Sequence, residues 1–161
     1  MSDLIKVLVV SSSLSEESRS KTLCEHAHNF LTSKKIDAKH ESLQDYRVLP
    51  YGMDGSEGLD KLGDAFGEAD AILLGFPVYN YNMNASLKAV IEHFGGSMRD
   101  KVIGLMMSAG GQASYMSGLI VANSLMLDFR SWVVPRFVYA TGEAFGEDAV
   151  TDPEIASRIE D

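Results

Sequence analysis

A serine-rich stretch near the start of the chain carries the groups best suited to binding an anion. It runs from Ser11 to Lys21 (SSSLSEESRSK), after the apolar segment Leu4–Val10 and before Thr22–Leu31. The apolar segment is typical of a buried strand and Thr22–Leu31 of a helix, so the serines lie in a strand-to-helix loop. Serine hydroxyls, the first N–H groups of the helix and the helix dipole all favour a phosphate there. Serine is also a favoured helix N-cap, and this stretch alone leaves both interpretations open.

Two later loops, each following an apolar segment, add a different chemistry. The loop Pro77–Asn82 offers two aromatic faces and two amides, from Tyr79, Tyr81, Asn80 and Asn82. These groups suit a flat heterocycle with a polar edge. The loop Ser108–Gln112 places Gly110 and Gly111 where a ligand can approach the backbone closely. A phosphate, a flat ring and a close backbone together describe a mononucleotide such as FMN.

The segments that must position these loops alternate between strand and helix patterns. Runs of apolar or alternating residues predict five strands, at Leu4–Val10, Asp37–Leu43, Ala69–Phe76, Lys101–Met107 and Trp132–Ala140. Helical spacing predicts helices at Arg19–Ser33, Gly58–Glu68, a segment capped by Asn84 and ending at Phe94, and Ser114–Phe129, with a short one starting at Asp152-Pro153. This alternation predicts an α/β fold in which a five-stranded parallel sheet has helices on both faces. In the strand order 2-1-3-4-5, the three loops meet over one crevice.

The composition limits the classes of protein and partner. With 161 residues, 45% of them hydrophobic, the chain suits a single domain over residues 1–161. Its net charge of −9 argues against nucleic acid and against an anionic membrane surface as partners. The sequence has no apolar run of bilayer length, and its start, MSDLIKVLVV, lacks the pattern of a secretory signal, so we expect a cytoplasmic protein. The single cysteine, Cys24, excludes an internal disulfide framework.

Several familiar site motifs are missing from the sequence. Neither the dinucleotide fingerprint G-x-G-x-x-G nor the P-loop pattern G-x-x-x-x-G-K-[ST] occurs. The four histidines form no metal-like spacing with acidic residues, and we interpret them as structural: His26, His28, His40 and His93. The sequence therefore predicts neither a metal site nor a catalytic side chain.

The three loops resemble the motifs of the NAD(P)H-dependent FMN reductases, a flavodoxin-like family that includes many quinone and azo-dye reductases. The family's first loop, G-S-L-R-x-x-S-x-N, corresponds to Ser12–Ser20. Its second motif, P-x-Y-N, corresponds to Pro77–Asn80, with Leu87-Lys88 following at the expected distance. Its third, a small-residue turn ending in G-G, corresponds to Ser108–Gly111. The resemblance covers nearly the whole chain, from Leu4 to about Ala140.

The resemblance implies a flavodoxin-like three-layer sandwich, bound FMN and NAD(P)H as co-substrate. It implies phosphate contacts from Ser13, Ser18 and Ser20, with Ser15 where the family has arginine. It implies ring contacts, largely through backbone, from Pro77, Val78, Tyr79 and Asn80, with Ser108, Gly110 and Gly111 closing the other side of the ring. It also implies a homodimer or homotetramer and a small-molecule electron acceptor, such as a quinone, azo compound, flavin or metal ion.

The first loop departs from the family pattern, and this keeps alternatives open. Ser15 replaces the usual arginine, and Glu16 and Glu17 add carboxylates that repel a phosphate. The favoured hypothesis is an FMN-dependent NAD(P)H oxidoreductase, in which the flavin carries the hydride chemistry. The first alternative is a flavodoxin-type electron carrier, which the net charge of −9 also fits. The second is a protein that keeps the fold but has lost the flavin.

Overall fold

The computed structural model describes residues 5–161, so Leu4, the first residue of the predicted first strand, lies outside the described residues. The strands are β1 (Lys6–Ser11), β2 (Asp37–Ser42), β3 (Ala71–Tyr79), β4 (Asn82–Met83), β5 (Val102–Ser108), β6 (Trp132–Val133) and β7 (Val138–Ala140). The α-helices are α1 (Arg19–Ser33), α2 (Leu59–Glu68), α3 (Ala85–Phe94), α4 (Gly118–Phe129) and α5 (Pro153–Glu160). None of the helices within residues 5–161 has the length and apolarity needed to cross a membrane.

The sheet confirms the strand order expected from the alternation of elements. Strands β2, β1, β3 and β5 are parallel neighbours in that order, and β6 and β7 both pair with β5 on its far side. The fifth position is therefore shared by two short strands. The order is 2-1-3-4-5 when β6 and β7 are counted as one interrupted strand.

The interruption lies at Pro135, inside the segment Trp132–Ala140 that the sequence predicts as a last strand interrupted by this proline. Trp132 and Val133 pair with the start of β5, and Val138–Ala140 pair with its end. Proline has no N–H to give to the neighbouring strand and is found mainly at sheet edges and bulges. The break falls on the outermost strand, which has no further neighbour in this sheet.

The helices pack on both faces of the sheet, and each face has its own apolar core. On one face α2, α3 and α4 bury Leu62, Phe66, Leu87, Val90, Val121 and Leu125 against the strands. On the other face α1 contributes Leu23, Cys24 and Ala27, and Ile155 and Ile159 of α5 pack at its border. The result is the three-layer sandwich that the resemblance implies, because both faces of the parallel sheet are covered.

A buried carboxylate joins the edge strand β2 to its surroundings. The Glu41 side chain is only 5% exposed and lies 2.8 Å from the Lys39 ammonium and 3.7 Å from that of Lys61. The Tyr46 hydroxyl donates a hydrogen bond to the same carboxylate. Burial alone favours the neutral acid, but the hydrogen bonds from Lys39 and Tyr46 and the two lysine charges outweigh it, so the pKa of Glu41 lies below its ordinary value.

This network predicts a pH-dependent contribution to stability. The folded pKa of Glu41 is below the unfolded value of about 4.3, so the contribution is present above that pH and is lost as the pH falls through the folded pKa. We expect Glu41→Gln to lower the free energy of unfolding by about 1–2 kcal/mol at pH 6 and by much less in acid. Urea unfolding of both proteins from pH 6 downward measures the difference.

The matched control is Glu57→Gln. Glu57 also faces a cation, Arg47, but at 3.8 Å and with 76% of its side chain exposed. Exposed pairs of this kind add little to stability. A Glu41→Gln effect that stayed constant at every pH would contradict the electrostatic explanation.

Candidate functional site

A crevice of about 860 Å³ opens at the carboxyl ends of β1, β3 and β5. The three loops singled out by the sequence meet there: the first loop (Ser11–Ser18), the second loop (Pro77–Asn82) and the third loop (Ser108–Gln112). Nine of the eleven predicted cofactor-binding residues line the crevice: Ser13, Ser15, Ser18, Ser20, Pro77, Val78, Tyr79, Ser108 and Gly110. Asn80 and Gly111 are not part of its lining.

The start of α1 presents hydrogen-bond donors at one end of the crevice. Ser18 is the N-cap, and its Oγ accepts from the Lys21 N–H at 3.1 Å. The Ser20 hydroxyl is buried and lies 3.1 Å from the Ser18 hydroxyl. Among the described residues, the backbone N–H groups of Arg19 and Ser20 donate to no protein acceptor. First-turn N–H groups of this kind are the donors with which helices bind phosphate.

The middle of the first loop is held by short-range bonds. The Ser13 Oγ accepts from the Ser15 N–H at 3.2 Å, and the Gln44 amide donates to the Ser15 carbonyl oxygen. Ser13 is buried, whereas Ser15, Glu16 and Glu17 are exposed on the crevice wall. The two carboxylates are therefore solvated rather than buried against the donors, which reduces their repulsion of a bound phosphate.

A buried side-chain network ties the first loop to the start of α3. The Asn84 amide nitrogen donates to the Ser12 carbonyl oxygen at 2.8 Å, and the Ser12 hydroxyl lies 2.9 Å from Asn84 Oδ1. The Ser86 hydroxyl donates to the same carbonyl oxygen at 3.0 Å. Asn84 occupies the N-cap position, as predicted, but its side chain makes no capping hydrogen bond. Its amide holds the two loops together instead, a role that the local sequence pattern does not reveal.

Helix α1 packs closely against β3 at Gly75. A Cβ placed on Gly75 would lie 2.1 Å from the Cys24 sulfur and 3.1 Å from the Ser20 carbonyl oxygen. The Gly75 carbonyl oxygen also accepts the Ser12 N–H at 2.9 Å. Cys24 is fully buried, and burial raises the pKa of its thiol above the ordinary range. The missing side chain at Gly75 therefore lets the first turn of α1 pack directly on the sheet.

The second loop is a tight β-hairpin rather than an irregular connection. Tyr79 pairs with Asn82 across a two-residue turn, and Asn80 and Tyr81 both have positive φ, 51° and 58°. This is the backbone of a type I′ turn, which matches the twist of the flanking strands. Pro77, Val78 and Tyr79 lie along the wall of the crevice, whereas Asn80, in the turn, is not part of its lining. Tyr79 is 54% exposed.

The third loop forms a further part of the crevice wall. Ser108 and Ala109 are buried, and the Ala109 N–H donates to the Ala140 carbonyl oxygen at 2.9 Å. Gly110 is exposed at the rim, and a Cβ there would meet no atom within 4 Å. Gly111 is turned away from the lining, and its carbonyl oxygen accepts from the Tyr139 hydroxyl.

A fourth segment, Phe145–Asp148, completes the crevice and was not foreseen from the sequence. The Phe145–Val150 bridge and the bond from the Gly146 N–H to the Ala149 carbonyl oxygen fold it into a hairpin-like turn. The Arg19 guanidinium carbon lies 5.9 Å from the centre of the Phe145 ring. The segment has no apolar periodicity, and its glycine and acidic residues are typical of any exposed turn.

The donor set fits a flavin mononucleotide. Unpaired helix N–H groups and serine hydroxyls lie at one end, where a phosphate needs them. Two backbone walls, Pro77–Tyr79 and Ser108–Gly110, stand where a flat ring requires close approach. The acidic residues on the lining are exposed, so they weaken the binding of a phosphate but do not occupy the space it needs.

The strand order, the three-layer architecture and a helix start at the carboxyl end of β1 together define a flavodoxin-like protein. A sequence model of one family within this class, described as NADPH-dependent FMN reductase, matches residues 5–146. The chain belongs to that family, which confirms the resemblance drawn from the three loops. It is accordingly an NAD(P)H-dependent flavin oxidoreductase by class.

The relatives extend the comparison. An NAD(P)H-dependent FAD/FMN reductase from Geobacillus thermodenitrificans (strain NG80-2) is 27% identical over 136 residues, which cover 78% of this chain and 71% of that protein. The apo form of an NADH:FMN oxidoreductase has a TM-score of 0.80 at 17% identity, covering 97% of this chain and 84% of that one. A flavodoxin from the domain Archaea has a TM-score of 0.66 at 19% identity, covering 98% and 100%. At these identities the two structures establish the fold.

Proposed function

We propose that the protein binds FMN in the crevice and passes reducing equivalents from NAD(P)H to a small acceptor: a quinone, an azo compound, a free flavin or a metal ion. The observation that carries the proposal is the pair of unpaired N–H groups on Arg19 and Ser20, in the same crevice as the backbone of Pro77–Tyr79. FMN, when bound, supplies the hydride-transfer chemistry, and the chain's own residues bind and orient the reactants.

At the phosphate end the binding groups are the first-turn N–H groups and hydroxyls. Ser13, Ser18 and Ser20 provide the hydroxyls, two of them on buried residues. Ser15 sits at the exposed edge of the loop and contributes at most a peripheral contact. Each charge-assisted hydrogen bond to phosphate is stronger than a neutral one, so the donors anchor the cofactor in one orientation.

At the ring end the backbone of the second and third loops provides the walls. Pro77 and Val78 lie along one side, and Ser108, Gly110 and Gly111 belong to the loop on the other. Tyr79 is half exposed at the mouth, and Asn80 belongs to the turn beyond it. The mouth is open to solvent, which suits an enzyme that must admit first a nicotinamide and then an acceptor.

The apolar outer surface around α4 supports a homodimer or homotetramer of this chain. Five large apolar side chains there are at least 45% exposed: Met116, Leu119, Ile120, Met126 and Leu127. Contiguous exposed apolar surface of this kind marks association sites. Sedimentation of the purified protein measures the oligomeric state, and a monomer at all concentrations would contradict this part of the proposal.

The decisive experiment follows the flavin absorbance. Purified protein is mixed with FMN, freed of unbound flavin, and given NADPH or NADH without oxygen; free FMN at the same concentration is the control. We expect bound flavin that bleaches faster than the free cofactor. Flavin that binds but stays oxidised would favour an electron carrier, and failure to retain flavin would overturn the proposal. Adding each acceptor class separately to the reduced protein then ranks the acceptors by the rate of reoxidation.

A further inference from the structure

The charges on the crevice wall pose a problem for any phosphate. Five carboxylates line the crevice, from Glu16, Glu17, Glu25, Glu147 and Asp148, against two cationic side chains, Arg19 and Lys21. The first loop, from Ser11 to Ser18, contains two glutamates and no cation. A cation from outside this loop would therefore strengthen the binding of a phosphate dianion at the start of α1.

The two cationic residues differ in their engagement. The Lys21 ammonium donates to the Gln44 side-chain oxygen at 3.1 Å, and the Gln44 amide in turn holds the Ser15 carbonyl oxygen. Lys21 thus helps to hold the first loop in place through Gln44. Arg19 forms no ion pair with any carboxylate in the described part of the chain.

The Arg19 guanidinium is held by the segment that follows β7. Its central carbon lies 5.9 Å from the centre of the Phe145 ring, within the range of a cation–π interaction. On its other side it approaches Gly142 so closely that a Cβ there would lie 2.8 Å from Nη1 and 3.3 Å from Cζ. Two contacts from one segment, one aromatic and one backbone, fix the position of a charged group that has no ion pair within residues 5–161.

We propose that Arg19 is the cation that binds the FMN phosphate, and that Phe145 and Gly142 position it. The inference rests on the proposed function. Arg19 is the first residue of α1, and its backbone N–H is one of the two unpaired donors at the phosphate end. The Arg19 side chain lines the same crevice as those donors, and a guanidinium can match phosphate oxygens in a bidentate geometry that a lysine does not reproduce. The segment from Gly142 to Phe145 is then part of cofactor recognition.

The test compares FMN with riboflavin, which has the same ring without the phosphate. Dissociation constants are measured from the quenching of flavin fluorescence. We expect Arg19→Gln to weaken FMN binding about tenfold and to leave riboflavin binding within about twofold. Arg19→Lys is expected to fall between the wild type and Arg19→Gln. Gly142→Ala, which retains the charge but displaces the guanidinium, is expected to shift FMN binding in the same direction.

Arg99→Gln is the matched control, because it removes the same charge from an exposed position. Arg99 precedes the amino end of β5, whereas the crevice lies at the carboxyl ends of the strands. It is expected to leave both constants unchanged. Thermal unfolding midpoints confirm that each variant is folded. An unchanged FMN-to-riboflavin preference in Arg19→Gln overturns the role of Arg19 alone, as does a wild type that binds the two flavins equally. A wild type that binds neither flavin overturns the proposed function itself.

Discussion

Gly75→Ala is expected to lower the free energy of unfolding by about 2–3 kcal/mol. The new methyl group would lie 2.1 Å from the Cys24 sulfur, deep in the core, and 3.1 Å from the Ser20 carbonyl oxygen. The first distance is far below van der Waals contact and the second involves the backbone of α1, so we expect α1 to move away from β3. The turn that carries the phosphate donors moves with it, so FMN binding is expected to weaken as well. Urea unfolding and flavin titration of the variant measure the two effects.

The close contact with Cys24 can be separated from other effects of the alanine by a double-mutant cycle. Cys24→Ala removes the sulfur, so we expect Gly75→Ala to cost at least about 1 kcal/mol less in that background. Gly67→Ala is the control for the glycine-to-alanine change, because a Cβ on Gly67 meets nothing within 4 Å. Gly67 lies within α2, where alanine is the better helix former, so stability should rise slightly. Strictly additive effects of Gly75→Ala and Cys24→Ala would show that the contact is not the cause.

Asn84→Ala is expected to cost about 2–3 kcal/mol of stability. The side chain is 5% exposed, and its loss removes the bonds to the Ser12 carbonyl oxygen, the Ser12 hydroxyl and the Ser86 hydroxyl. Each buried hydrogen bond contributes about 0.5–1.5 kcal/mol, and groups left unpaired in the core add to the cost. The first loop also loses its tether to α3, so FMN binding should weaken more than riboflavin binding.

The neighbouring Asn82→Ala separates this role from the general effect of losing an asparagine. Asn82 is exposed, and its side-chain oxygen accepts only from the N–H of the next residue, at 2.8 Å. We expect a loss below about 1 kcal/mol and no change in the FMN-to-riboflavin preference. Asn84→Asp retains an acceptor for the Ser12 hydroxyl but loses the donor to the Ser12 carbonyl oxygen. If it were as stable as the wild type, the tether would not depend on that donor.

The features that follow from local pattern were accessible from the sequence. Helix α1 begins and ends where its apolar spacing and serine cap place it, at Arg19 and Ser33. The buried strands β1, β3 and β5 are continuous apolar runs, as parallel strands covered on both faces must be. The strand order brought the three loops together, so most of the candidate site followed from knowing which loops lie at strand ends.

The features that depend on contacts distant in sequence were not accessible. Asn84 reads as a helix cap because asparagine is a good cap, but the competing partner, Ser12, lies 72 residues away. In the sequence, Phe145 belongs to a polar tail with no predicted role. Only the folded chain brings its ring close to the Arg19 guanidinium. The split at Pro135 was visible as an interruption, but its accommodation at the sheet edge required the neighbouring strand.

The bond between Ser12 and Asn84 also constrains the order in which the molecule can assemble. Ser12 and Asn84 are 72 residues apart, and bringing them together costs chain entropy before their hydrogen bond can contribute to stability. We therefore expect the first loop to become fixed only after β1 and β3 have paired and α3 has begun to form. During synthesis, a chain that does not yet include Asn84 lacks the hydrogen bonds that hold the first loop to the start of α3. Cofactor binding thus stabilises a fold that is already complete and does not nucleate it.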